Sequence, residues 1–455
     1  MLRGRAGVEM RELLTLAWPV VLSRLGVMAM GLSNAVVVGR YSGRELGYHA
    51  IAWAPSSVAI TASIGLLMGV QVMTARAIGE GRREEVGAVL RRGVVYAFWI
   101  GLASSVLLGV GGPPALRLMG LDADLAEGAA RTTVIFSLSL TAHVLACAFS
   151  FWLEGLSRPV PAMVIMWAAN LVNLLLLLWL VPGAPGVPID GAAAGALATG
   201  GARVVLLLGL AIYVLRMKES RALGVFRKAP REPHLEAQQR RIGYGAGASN
   251  FFEVAAFSAL AILAGWVSPP AVAAWAVVLS VSGLVFMPQM GVATATAVLV
   301  GRAYGAGDRE AVVRVGVLGF GVTALNTLAL SLIIWPAAGL VVAAYTQDAA
   351  VMAIATPALI VACLYFVTDG LQVVVAHALR ARADVLMPSV THLVSYVVVM
   401  MPLAWWLGIA LKLEVIGLVW AVNIASLLSA GLLLGRFAML NASPVVTRIE
   451  ATVRA

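Results

Sequence analysis

Charge is what this chain lacks most. Only 12% of its 455 residues are Asp, Glu, Lys or Arg, about half the usual share of a soluble domain. Residues 159–189, 254–301 and 315–347 carry none. Cysteine is nearly absent as well. Cys147 and Cys363 both sit in apolar stretches, which argues against a disulfide or a thiolate metal site and leaves them as small core residues. Aromatic residues make up 7%, too few to define an aromatic cage. The short alternating segments of a membrane β-barrel are missing. So are HExxH, GxSxG and paired-Asp metal motifs, and no enzyme is expected.

What is present is hydrocarbon. The chain is 61% hydrophobic, with a mean hydropathy of +0.93. About 20 apolar residues cross a bilayer as a helix. Residues 254–301 therefore suffice for two crossings, with Pro269-Pro270 as the break between them. The pattern predicts an all-α integral membrane protein with helices near 13–39, 50–75, 93–113, 132–154, 160–181, 191–215, 243–266, 271–300, 315–344, 350–379, 388–410 and 415–438. The first run, from Leu13, lacks a small-residue cleavage site and is expected to be a transmembrane helix, not a signal peptide. With these spans, 25 of the 32 Lys and Arg residues fall on the side of the N-terminus, 5 on the other side and 2 (Arg24 and Arg203) within spans. The positive-inside rule then puts both termini in the cytoplasm. The net charge of +10 becomes a topology signal, and no nucleic-acid partner is expected. The basic segment with Pro230 and Pro233 reads as a cytoplasmic linker. The expected organisation is a six-helix bundle over 1–217, a linker over 218–241 and a second bundle over 242–455.

The halves repeat. Residues 75–86 read ARAIGEGRREEV and residues 301–312 read GRAYGAGDREAV, identical at seven of twelve positions at an offset of 226. The same offset pairs Gly65 with Gly291 and Gly191 with Gly417. Six crossings per half is an even number, so the two six-helix bundles form a parallel internal repeat, related by an axis along the membrane normal. Transporters built this way bind near the bilayer midplane and rock one bundle against the other. A channel has no comparable need for such a tandem scaffold.

Two acids lie inside spans otherwise suited to lipid: Glu253 in GASNFFEVAAFSALAILAG and Asp369 in ALIVACLYFVTDGLQVVVAHAL. A carboxylate at bilayer depth costs roughly 2.5–3.5 kcal/mol on insertion scales and is kept for a task. Two close together bind a proton or a hard cation such as Na+, which favours carboxylate, carbonyl and hydroxyl oxygens. Asn250 lies three residues before Glu253, and Tyr365 four before Asp369, so each pair shares a helix face. Thr368 adds a hydroxyl. These five residues are the expected cation-coupling pocket, with Glu253 and Asp369 as ligands for Na+. A weaker set lies in the first half: His143, which the repeat offset places opposite Asp369, and Asn34, Asn170 and Asn173 as a polar patch. Glu154 and Arg380 are expected at helix ends near the interface, and His377 and His392 as ordinary polar positions.

At this point the residues resemble the multidrug and toxic compound extrusion (MATE) transporters, and among them the NorM-like subgroup. The likeness covers nearly the whole chain. It is most specific in SNFFEVAAF, in MPQMGVATATAVLVGRAYGAG and in YFVTDGLQVVVAHALRA. The resemblance implies an antiporter that expels cationic amphipathic compounds in exchange for Na+ or H+. It also implies coupling through the acids matched by Glu253 and Asp369. A plasma (inner) membrane location and a monomer are also expected. The family usually has an acid where this chain has Asn34, and Asn does not titrate; coupling is then left to the C-terminal half. A flippase for lipid-linked oligosaccharides shares the fold and is the rival function. It calls for a cationic cavity, for which Arg24 and Arg203 are the candidates.

Overall fold

The computed structural model describes residues 2–119, 122–227 and 232–442. Of the basic residues assigned to the side of the N-terminus, Lys228, Arg231, Arg448 and Arg454 lie outside that range. The described residues are almost entirely helical and include no strand. The helices are α1 (Leu2–Tyr41), α2 (Gly43–Gly79), α3 (Val86–Leu118), α4 (Ala123–Leu138), α5 (Leu140–Gly155), α6 (Val160–Leu180) and α7 (Gly191–Arg216). They are followed by α8 (Pro233–Val267), α9 (Pro269–Ala306), α10 (Arg309–Tyr345), α11 (Ala349–Ala381), α12 (Leu386–His392), α13 (Met401–Trp405) and α14 (Glu414–Ala442).

Local chemistry sets the breaks. Gly81 and Gly307, equivalent in the repeat, both adopt left-handed backbone, with φ of 77° and 75°, a conformation that glycine enters without a Cβ penalty. Asp308 then caps α10 by accepting from the Ala311 amide at 2.9 Å. Asp348 caps α11 in the same way through Ala350, at 2.8 Å.

Eleven of the described helical segments are long and apolar enough to cross a membrane, and a bent pair supplies a twelfth span. That pair corrects the single helix expected over 132–154. The span begins at Ala123 and bends by 42° between α4 and α5. At the break, the Ser139 hydroxyl donates back to the Phe136 carbonyl at 2.8 Å. The span expected over 388–410 is also irregular. Between α12 and α13 the helix widens to π geometry over Leu393–Met400, and again after α13 over Trp406–Ala410.

The chain forms two compact units. One comprises Leu22–Gly247, the other Met1–Val21 together with Ala248–Ala455. The boundary residues Val21 and Gly247 are separated by the repeat offset, since 21 + 226 = 247. In the first unit, the stretch read as a linker packs closely. The Gly87 amide donates to Leu223 O at 2.7 Å, and Arg91 donates to the carbonyls of Gly224 and Val225 at 2.5 and 2.8 Å. In the second unit, the start of α1 is tied down by two ion pairs, Arg314–Glu9 at 2.9 Å and Arg302–Glu12 at 2.7 Å. Its core gathers Trp275, Tyr365, Phe366 and Tyr396, all buried.

Candidate functional site

Asp369 faces the interior of the second unit from the middle of α11. Its helix approaches α9 and α10 closely because Gly370 follows it. A Cβ there would stand 3.0 Å from atoms of Gln289, Thr323 and Thr327. Asp369 is 8% exposed. One turn further along α11, the fully buried Gln372 turns its amide toward both acids. Gln372 Nε2 donates to Asp369 Oδ1 at 3.4 Å and to Glu253 Oε1, on α8, also at 3.4 Å. A single side chain thus brings the two intramembrane carboxylates together.

The 386–410 span closes the site. Tyr396, in its π-helical stretch, donates to Asp369 Oδ1 at 3.3 Å and lies 3.3 Å from the Ser426 hydroxyl on α14. His392 sits edge-on to Tyr396, with Nδ1 3.9 Å from Glu253 Oε2. Gln372 Oε1 and both nitrogens of His392 are buried without a hydrogen-bond partner. The result is an oxygen-rich cluster of side chains with unused hydrogen-bonding capacity, of a kind that suits a small hard cation or a proton. Among the described residues no group of three or more His, Cys, Asp and Glu forms a metal cluster. The pocket is a carboxylate pair completed by neutral oxygens.

Among the described residues, the other expected members make no hydrogen bond to either acid. Tyr365 turns its hydroxyl to Ser282 on α9, and Thr368 donates to the Tyr365 carbonyl in its own helix at 3.1 Å. Asn250 is half-buried on α8, and among the described residues no hydrogen bond joins it to either acid. Glu154 and Arg380, expected near an interface, are buried at 3% and 2% exposure. Glu154 accepts from Gln71 at 2.7 Å and pairs with Arg24 at 3.3 Å.

Among the described residues, the members of the first-half set make no hydrogen bond to one another. His143 is buried, with Nε2 3.7 Å from Cys147 Sγ. Asn34 donates to the Met30 carbonyl at 2.8 Å and accepts from Thr199 at 3.1 Å. Asn170 donates to the Met166 carbonyl at 3.0 Å. Asn173 is fully buried and neither end of its amide has a partner. The three asparagines do not bond one another. Arg203 donates to Ser139 at 2.8 Å and lies 4.3 Å over the Phe136 ring.

The MatE family profile matches this sequence twice, over residues 19–179 and 246–406. The chain belongs to the MatE family. Members are membrane transporters and not enzymes, and the double match follows the internal repeat. Among curated proteins, a probable multidrug resistance protein NorM of Caulobacter vibrioides is 54% identical over 439 residues, 96% of this chain and 93% of that protein. A multidrug resistance protein NorM of Vibrio vulnificus is 30% identical, covering 88% of each chain. A crystal structure of a eukaryotic MATE transporter, AtDTX14, superposes with a TM-score of 0.85 at 18% identity over 96% of both chains. A MOP superfamily transporter from Pyrococcus furiosus gives 0.84 at 18% identity, covering 96% of this chain and 97% of the other. These structures establish the MATE fold: twelve spans in two bundles.

Within this MatE chain, sequence reasoning missed Gln372, Tyr396 and Ser426 and undervalued His392. Gln372 carried a usable signal, because it lies three residues from Asp369 on a helix. Tyr396 carried none, since π turns shift the phase by which faces are assigned.

Proposed function

We propose that this protein is a multidrug efflux antiporter that exports cationic amphipathic compounds in exchange for Na+ or H+ by alternating access, coupled through Glu253 and Asp369. The observation that carries it is the approach of both intramembrane carboxylates to one amide, that of Gln372. Two negative charges held together in a weakly screening medium repel strongly. A proton, a Na+ ion or a cationic substrate relieves that repulsion, and each excludes the others. Competition for one anionic pocket is what exchange requires. The names of the NorM relatives support the multidrug class. The basic residues support a plasma (inner) membrane protein with cytoplasmic termini, and a single chain holds the entire pocket, in keeping with a monomer.

The flippase reading rests on a cationic centre. Arg24 is neutralised by Glu154, and Arg203 is engaged by Ser139 and the Phe136 ring, so the antiporter is favoured.

The test is substrate efflux from proteoliposomes under Na+ and H+ gradients imposed separately. One gradient is expected to drive export, and Glu253→Gln and Asp369→Asn are each expected to reduce gradient-driven export at least about tenfold, equivalent to about 1.4 kcal/mol. Undiminished export by either variant would remove the carboxylates from the mechanism.

A further inference from the structure

The second unit carries a groove of about 580 Å³ between the start of α1 and the helices α9 and α10. Its walls include Arg11, Leu14, Trp18, Val292, Val322 and Asn326. The α1 residues recur at spacings of three and four, so one helix face forms a wall of the groove. It extends along α1 from Gly7 to Val21, about 21 Å at 1.5 Å per residue. One leaflet of hydrocarbon is about 15 Å deep. With the span starting at Leu13, the groove covers a headgroup region and about 12 Å of the hydrocarbon beneath it.

Charge is placed at one end only. Glu9 and Glu12, the acids nearest in sequence, are neutralised by Arg314 and Arg302. Arg11 is exposed, with no ion pair among the described residues. Below it the lining is mainly apolar, with Trp18 48% exposed.

The repeat supplies an internal control. Adding 226 to Trp18 gives Tyr244, and subtracting 226 from Val322 and Val292 gives Tyr96 and Leu66. In the first unit Tyr244 replaces Trp18, and the larger Tyr96 and Leu66 replace Val322 and Val292. Tyr96 and Tyr244 meet edge to face at 6.4 Å, and Leu66 presses on Gly247. The position equivalent to Arg11 is Ala237. In the second unit the smaller Val292 and Val322 line an open groove, with Arg11 among its walls.

We propose that this groove binds an anionic phospholipid from the leaflet on the N-terminal side, with the phosphate at Arg11 and an acyl chain along Leu14, Trp18 and Val322. The cation selects the headgroup, and the depth and apolar lining select a chain over a free anion.

The test is native mass spectrometry of the full-length protein titrated with phosphatidylglycerol or phosphatidylcholine, which counts lipids on folded molecules only. The wild type is expected to prefer phosphatidylglycerol, and Arg11→Gln to lower that preference about fivefold, the effect of about 1 kcal/mol per basic residue near a membrane surface. Val322→Trp, which fills the groove, is expected to weaken both lipids, and Lys412→Gln to change neither. Equal binding of both lipids by the wild type, or an intact preference in Arg11→Gln, overturns the proposal. So does displacement of the bound lipid by inorganic phosphate alone, which would make the site an anion site without a chain groove.

Discussion

Gln372 joins two buried carboxyl groups through a single amide. Replacing it by Leu removes the one donor that Glu253 and Asp369 share among the described residues. Gln372→Leu is expected to retain expression and thermal stability while losing coupled efflux, which transport under an imposed gradient checks against the melting temperature of the purified protein. Tyr396→Phe removes one hydroxyl contact to Asp369. The apparent affinity for the driving ion is expected to fall about two- to tenfold, the net worth of one hydrogen bond, measured as the half-maximal ion concentration for transport. Away from the membrane, Arg158 grips Glu219 through two bonds of 2.5 and 2.7 Å, and this guanidinium holds the Glu219 carboxyl below its ordinary value. A carboxyl lowered on folding adds stability above its unfolded value, about pH 4.3, and loses that contribution as pH falls through the lower folded value. The pair is exposed, so the effect is small. Melting of wild type and Glu219→Gln is expected to differ slightly at neutral pH and to converge below about pH 4. At this scale the two acids were legible in the sequence because charge inside a hydrocarbon run stands out. Their neutral partners were not, because polar residues in membrane helices also serve as ordinary helix–helix contacts. Tyr365 illustrates the difficulty: its spacing from Asp369 was favourable, yet its hydroxyl is taken by Ser282.

Among the elements, close helix approach is set by absent side chains. A Cβ on Gly69 in α2 would lie 2.0 Å from the Gln239 carbonyl oxygen in α8. That contact is backbone, which cannot swing aside. Gly69→Ala is expected to destabilise the protein by about 1–3 kcal/mol, the usual cost of overpacking. Gly321→Ala, where nothing lies within 4 Å, is expected to be neutral or slightly stabilising; thermal unfolding of the two variants in detergent compares them. Hydrophobic runs and charge breaks located the spans well, because length and apolarity are what a bilayer demands. They did not reveal the bend at Ser139 or the π turns of the 386–410 span. At the bend, Ser139 meets a side chain from another helix, Arg203, a contact that no local pattern announces.

At the level of the whole molecule, duplication copied the scaffold and not the chemistry. Asp369, Tyr396 and Ser426 correspond at the repeat offset to His143, Asn170 and Gly200, none of which is an acid. His143→Ala is expected to keep more than half of wild-type efflux in the same vesicle assay that silences Asp369→Asn. The repeat was plain in the sequence because its conserved dodecamer lies at helix exits, where glycine and arginine have few substitutes. The unit boundaries were not, because they fall inside helices, where composition does not change. Those boundaries bear on how the chain is made. As the ribosome advances, the Leu22–Gly247 unit has all its parts once residue 247 has emerged. The first 21 residues instead wait for partners such as Arg302 and Arg314, nearly 300 residues downstream. The start of α1 thus finds its partners only after the whole Leu22–Gly247 unit has been made, and losing the turn between α9 and α10 would cost it both ion pairs.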